Sequence, residues 1–426
     1  MSKGPDRVNK HSDLFGLYGA GYFAAVPTGK QRALWKSSMI KPSRRVSGIV
    51  GASAVGMSAL ILGCSAAAAQ TAGGASPADT TELEPINVEG QASGARQDGA
   101  PPPTGTIGLP PKAYAGGQVA TGGRVGFLGS RSVFDTPFTQ NSYTEELVRN
   151  QQSVSILGVL DNNPAVRAVA SPFSPQPNVF IRGFEVNSRE FAFDGLYGIA
   201  SPFRHSPEGA ERIEVLNGPA AFLFGFPPDG NVGGVVNIIP KRAGDEPLTR
   251  ITTQYFSDST FGGSFDVGRR FGDGDAWGVR VNGSYREGHT PIDRNKEEFG
   301  NITLGLDYRG DRFRFSADFG YQDFDGRGLI QSFFVAPAVT DIPKAPSLKR
   351  SMQQPWDRFD SSHAYSTARA EFDVTDSVTA FAAIGGSKTK SDLLSARPRL
   401  MDDAGTVNMT PTAISKTHRS GPARRA

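Results

Sequence analysis

The sequence predicts a mixed α/β domain followed by the first antiparallel strands of a transmembrane β-barrel. Three observations carry this expectation. Between Asn178 and Arg242, short apolar runs alternate with glycine-, proline- and asparagine-containing turns. After Pro247, apolar and polar residues alternate with a period of two, leaving one wholly polar face. Upstream, the stretch ending at Ala69 has the layout of a secretory signal.

Residues 1–38 show no periodicity and stay unassigned. Residues 39–69 read as a signal peptide. Arg44 and Arg45 supply its charge, Val46 to Leu62 its apolar core, and Ala67-Ala68-Ala69 a cleavage site, which puts the mature start at Gln70. A transmembrane helix fits less well, because the apolar run is short and interrupted by Gly and Ser. Cys64 follows Ile61-Leu62-Gly63, a loose lipoprotein-like pattern; the alternative is a cysteine removed with the signal. As the single cysteine, it excludes an internal disulfide framework. Arg44-Arg45 fits twin-arginine export poorly. A net charge of +3 gives no argument for nucleic acid as a partner.

Residues 70–130 form a leader rich in Gly, Ala, Pro and Ser that cannot bury enough apolar surface to offset its ordering entropy, so it is expected to be flexible. Glu82-Leu83-Glu84-Pro85-Ile86-Asn87-Val88 stands out within it as acidic, then alternately apolar. Residues 131–245 form the first folded domain. Ser155 to Leu160 predicts a short helix stopped by Asn162-Asn163-Pro164. Val179 to Phe184, Ser188 to Phe193, Arg212 to Leu216 and Val235 to Ile239 predict strands, and Ala220 to Phe224 one helical turn after Pro219.

Four motifs occur in order: Arg182-Gly183-Phe184, Asp194-Gly195, Glu211 to Pro219 (ERIEVLNGP) and Gly233 to Asn237 (GGVVN). At this spacing they resemble the plug domain of TonB-dependent outer-membrane receptors, most closely those for ferric siderophores. The resemblance runs from about Thr81 and weakens beyond Arg242. It implies a plug inside a barrel of about 22 strands. It also implies that Glu82 to Val88 is the TonB box, which would pair as an added strand with the TonB energy-transducing protein. Substrate would bind outside, between plug apex and barrel loops. Candidates there are Arg182, Tyr197, Phe203, Arg204 and His205, where aromatic rings cover an apolar chelator and cations meet its charge; contact with the barrel wall is the alternative. Arg212 and Glu214 share one strand face and are expected to serve plug–barrel contacts. Iron would arrive already chelated by its siderophore, so no protein-bound metal or cofactor is implied.

Residues 246–414 form the partial barrel, with outer-membrane lipid as its surroundings. Seven strands are expected, around Ile251–Tyr255, Phe265–Val267, Trp277–Arg286, Ile302–Arg309, Phe313–Tyr321, Ala368–Val374 and Val378–Ile384. Tyr255, Tyr285, Tyr308 and Tyr321 are expected at strand ends, short turns at Gly272 to Asp275 and Gly310-Asp311, and a long extracellular loop from Phe324 to His363. A soluble β-sandwich would also alternate, but its outer face is not usually so regularly aromatic. Residues 415–426 read as an irregular basic tail. Seven strands fall short of a closed barrel, and open edges in lipid are costly. The chain is therefore expected to be the front part of an importer of ferric siderophores, or a truncated receptor acting at most as a binding or plug module. No Gly-x-Ser-x-Gly, His-Glu-x-x-His or phosphate loop supports an enzyme.

Overall fold

In the computed structural model, the structure describes residues 106–425 apart from 109, 257, 329–333, 342–343, 345–346, 348, 352 and 376–377. The unassigned extension, the signal peptide and the segment Glu82 to Val88 lie outside the described residues.

The plug is organised around β8 (Ala210–Asn217) and β9 (Gly234–Pro240), which pair antiparallel. β3 (Gln140–Thr144) flanks β8, and β7 (Ala192–Phe193) flanks β9 in parallel, giving the order β3-β8-β9-β7. A second sheet joins β4 (Val166–Ala168), β5 (Val179–Ile181) and β6 (Phe184–Val186), and β1 (Gly122–Arg124) pairs with β2 (Ser130–Ser132). Three short helices complete the plug: α1 (Glu145–Asn150), α2 (Ile156–Leu160) and α3 (Ala221–Phe224).

Alternation explains β8. Ile213 and Val215 are fully buried against Val236 and α2, whose Ile156, Leu157, Val159 and Leu160 close the same core over Val166, Val179, Ile181 and Val186. Gly234 sits where a side chain cannot. A Cβ there would collide with the carbonyl oxygen of Leu216, and its φ of 150° is one L residues rarely adopt.

The structure departs from the sequence expectation in three places here. The run Phe180 to Phe184 is not one strand but a hairpin, since Arg182 (φ 51°) and Gly183 (φ 88°) form its two-residue turn between the paired Ile181 and Phe184. Ser188 to Phe193 begins as a single 3₁₀ turn, Ser188–Glu190, capped by reciprocal bonds between Asn187 and Glu190, and only Ala192-Phe193 is strand. Residues 106–130 are not uniformly loose: Ala120 and Val125 are buried, and Arg124 makes a buried ion pair with Asp194 at 2.6 Å. Few apolar residues are needed there, because an already folded plug supplies the other half of each contact.

Among the described residues, the second region is one nine-stranded sheet. It runs β10 (Leu248–Phe256), β11 (Thr260–Phe271), β12 (Trp277–His289), β13 (Lys296–Arg309), β14 (Phe313–Arg327), then the two-residue β15 (Phe334–Val335), β16 (Arg358–Thr375), β17 (Val378–Leu400) and β18 (Val407–Arg425). Consecutive long strands pair antiparallel, and β15 lies parallel on β17. All seven expected strands are present and longer than read. β18 corrects the irregular tail: Ser415 to Arg425 is strand, its weak alternation overridden by backbone pairing with β17.

One face of the sheet is apolar and exposed (Ile251, Phe265, Ile302, Phe319, Ile384), and the other is polar and buried against the plug (Asp266, Arg280, Asn282, Asp318, Thr367). Aromatic residues form two rows on the outer face. Phe271, Trp277, Tyr308 and Phe315 are successive cross-strand partners at the end with the short turns. Tyr255, Phe261, Tyr285 and Tyr321 lie towards the other end. Tyr285 and Tyr321 are thus not strand ends, because β12 and β14 continue past them to His289 and Arg327. From Gly300, opposite Tyr285, to Tyr308 the strand covers roughly 27 Å at ~3.4 Å per residue, which with barrel tilt matches an apolar band flanked by aromatic girdles.

Candidate functional site

The plug meets the polar face of the sheet through charged side chains, and these define the seam on which any movement must act. Near the plug's exit into β10, Lys241 Nζ contacts Asp266 at 2.8 Å and Glu145 at 3.1 Å. Arg280 donates to Asp266 (2.7 Å from Nη2), to Glu145 (3.2 Å) and to the carbonyl of Arg242 (2.9 Å). Burial alone would raise the Glu145 carboxyl, but Lys241 and Arg280 outweigh it and hold it below the ordinary value. Arg242 makes a two-pronged pair with Asp318 of β14, its Nη2 at 2.6 Å.

Higher on the wall, the loop between Asp194 and Glu211 lies flat against the sheet as a strap. Arg204 is fully buried. Its Nη1 and Nη2 donate to the two oxygens of Glu297 at 3.2 and 3.0 Å, and Nη1 also donates to the Pro172 carbonyl at 2.7 Å. Phe203 packs edge-on against Phe359 (4.7 Å), beside Phe299 and Phe324. Arg286 donates to Glu208 at 3.0 Å and lies over the Phe299 ring at 4.3 Å. His363 Nε2 donates to the Ile199 carbonyl at 3.0 Å, while Nδ1 accepts from Thr389 at 2.8 Å; a carbonyl can only accept, which fixes the tautomer.

His205 stacks on Phe191 at 5.2 Å and is buried, with no hydrogen-bond partner at Nε2 among the described residues. Burial, reinforced by His363, pushes its imidazole down to about 3.

The structure therefore separates the five residues expected to face substrate. Phe203 and Arg204 turn to the wall, because Glu297 and the Phe299, Phe324 and Phe359 rings give them partners that no nearby sequence reveals, whereas His205 stacks on Phe191 of the plug. Tyr197 is half-buried and packs beside Ala192, Leu216 and Leu223. Arg182 alone among the five is exposed, at the tip of the β5–β6 hairpin, with Nη2 donating to Thr139 at 3.1 Å.

Arg212 and Glu214 pair as expected, at 3.4 Å, but inside the plug. Glu214 also accepts from Asn237 Nδ2 at 3.0 Å, and Asn237 Oδ1 accepts from the Gly195 amide at 3.0 Å. These bonds tie β8, β9 and the Asp194-Gly195 turn together, whereas among the described residues the ion pairs that cross to the sheet belong to Glu145, Arg204, Glu208, Lys241, Arg242 and Asp245. The physical reason is that both faces of β8 are covered by the plug itself. Glu297 and its aromatic neighbours were legible in one respect: extending the alternation of Ile302 to Tyr308 back to Lys296 places Phe299 on the polar face, an apolar residue where only a docking partner explains it.

Residues 132–235 match the family model for the TonB-dependent receptor plug domain. The chain is 39% identical over 298 residues to the ferrichrome receptor FcuA of Yersinia enterocolitica, covering 70% of this chain and 39% of that protein. Among solved structures, the ferric preacinetobactin receptor BauA of Acinetobacter baumannii superposes with a TM-score of 0.68 at 38% identity, over 71% of this chain and 45% of that one. The ferripyoverdine receptor of Pseudomonas aeruginosa shares the fold at a TM-score of 0.60 and 15% identity, over 72% of this chain and 41% of that one. The chain thus spans less than half the length of these relatives.

Proposed function

Because the chain belongs to the TonB-dependent receptors, a family of outer-membrane transport receptors rather than enzymes, we propose that it serves energy-coupled import of a ferric siderophore. The observation that carries this is the seating of the plug on the polar face of a sheet whose opposite face is apolar between two aromatic rows. Two relatives are named for ferrichrome and ferric preacinetobactin, both iron chelates, and chelated iron is the cargo proposed here.

Arg182, exposed at its hairpin tip, is the residue proposed to meet the anionic chelate. Phe203, Arg204 and His205 act instead by holding the strap that links the plug's outer side to the wall, so that ligand pressing on the plug is felt at the seam. Tyr197 braces the same strap from the plug side. The signal over residues 39–69 directs export, with Gln70 as the mature start. Glu82 to Val88 serves as the TonB box, an extended segment that adds as a strand to the energising partner, which then pulls on the leader. No chemistry is done on the ligand, and its iron stays chelated throughout.

Replacing Ile86 or Val88 by proline removes a backbone donor from the added strand. In a receptor-null host carrying the protein with a complete barrel, uptake of chelated iron should fall to background, while binding of the chelate at the cell surface stays unchanged. Persisting uptake would show that the leader couples elsewhere.

A further inference from the structure

The inner wall grips the leader at one point. The carboxylate of Glu371, on β16 and 1% exposed, accepts from the amide of Thr106 at 3.0 Å, from its hydroxyl at 2.6 Å and from the amide of Ile107 at 3.3 Å. Arg369 Nε (2.8 Å) and Arg314 Nε (3.3 Å) donate to the same carboxylate and fix its orientation. Arg314 is itself anchored by two bonds to Asp373, at 2.6 and 2.7 Å, and Arg369 lies over the Phe381 ring at 4.5 Å. The next residues follow the wall: Ile107 is buried, and Gly108, at a φ of 75°, lies against the side chain of Arg309. An ionised carboxylate offers about four acceptor sites, and here two consecutive amides, a hydroxyl and two guanidinium groups converge on them. The grip sits at the end of the sheet with the short turns, opposite Arg314 near the start of β14.

We propose that Glu371 is a clamp on the leader that sets how far the TonB box reaches towards the energising partner. The proposal rests on the receptor reading above. With the clamp closed, Thr106 is held on the wall. Among the described residues, the next backbone anchor is the Lys112 carbonyl, which accepts from the Thr121 amide at 2.7 Å. Opening the clamp releases residues 106–111, lengthening the tether by roughly 20 Å at ~3.4 Å per residue. The clamp residues belong to the wall, so a shift of the plug relative to the sheet changes the grip directly.

Two variants test this from opposite sides. Glu371→Gln keeps the volume and removes the charge. Thr106→Pro removes the leader's own amide donor and leaves the wall untouched, so it reports even if the first variant folds poorly. Amide hydrogen exchange of the full chain in lipid should speed up about tenfold at Ile107, the equivalent of one charge-assisted bond. Exchange at Val236 and Ile238 should not change. Cross-linking of the leader to the soluble periplasmic part of the partner should rise severalfold in both variants. Unchanged exchange at Ile107 would overturn the clamp. Faster exchange without better cross-linking would overturn its reach-setting role. No cross-link in any form of the protein, wild type included, would overturn the coupling reading on which the proposal rests.

Discussion

His205 shows what a single enclosed residue does to the whole fold. Its imidazole is neutral in the folded state down to about 3, whereas in the unfolded chain it titrates near 6.5. Between those values the unfolded state binds a proton that the folded state refuses, so stability rises with pH there and is lost as pH falls from 6.5 towards 3. At ~1.4 kcal/mol per unit, the loss is up to about 5 kcal/mol. Chemical denaturation at pH 7 and pH 4.5 should show this acid sensitivity in the wild type, and His205→Gln should reduce it clearly. Equal pH dependence in the two would refute the assignment. The neighbouring Arg204 shows why such roles are hard to read in sequence. A cation beside Phe203 and His205 in a loop looks like a ligand contact, and its true partner, Glu297, lies 93 residues further on.

At the scale of elements, the β5–β6 hairpin was hidden inside an apolar run. Phe180, Ile181 and Phe184 all favour strand, so the eye joins them. The Arg-Gly pair between them needs φ above zero at both positions, which glycine accepts freely and arginine at a cost. Gly183→Val should therefore destabilise the hairpin by about 1–3 kcal/mol through backbone strain alone, because a Cβ at Gly183 meets nothing within 4 Å. A denaturation midpoint equal to wild type would contradict the turn. Strands with strong alternation, such as β13 and β14, were legible, but only over the part nearer their short connecting turn. Their outer ends carry charged residues such as Glu298 and Asp325 in place of apolar ones, and there pairing with neighbours, not pattern, extends the strand.

For the molecule as a whole, the period-two pattern was the most legible feature, since it follows from placing lipid on one side of a sheet and a polar plug on the other. Leu304 lies on the outer face between the two aromatic rows, with Val281 and Phe319 as cross-strand partners. Leu304→Arg should cost about 2–4 kcal/mol when the receptor is unfolded from lipid vesicles, whereas Thr303→Ser on the inner face should cost far less. Equal costs would mean that the outer face does not meet lipid. What the pattern could not show was how the plug and leader grip the wall, because each contact there joins residues far apart in the sequence: Arg242 to Asp318, Glu145 to Arg280, Glu371 to Thr106.

The position of β9 has a mechanical corollary. Once the Glu371 clamp has opened, tension entering at Thr106 would meet the bond between Lys112 and Thr121, then those that Gln118 and Ala120 make with Thr144 and Ser142 on the outer edge of β3. These give way singly, like zipper teeth, each bearing the load alone. β9 is loaded differently. It lies between β8 and β7, and the chain leaving it is fastened to the wall through Lys241 and Arg242, so its bonds share the strain at once. A steady tug therefore strips the near edge of the plug long before it shifts the centre, and a gap opens on the leader's side while the rest stays moored.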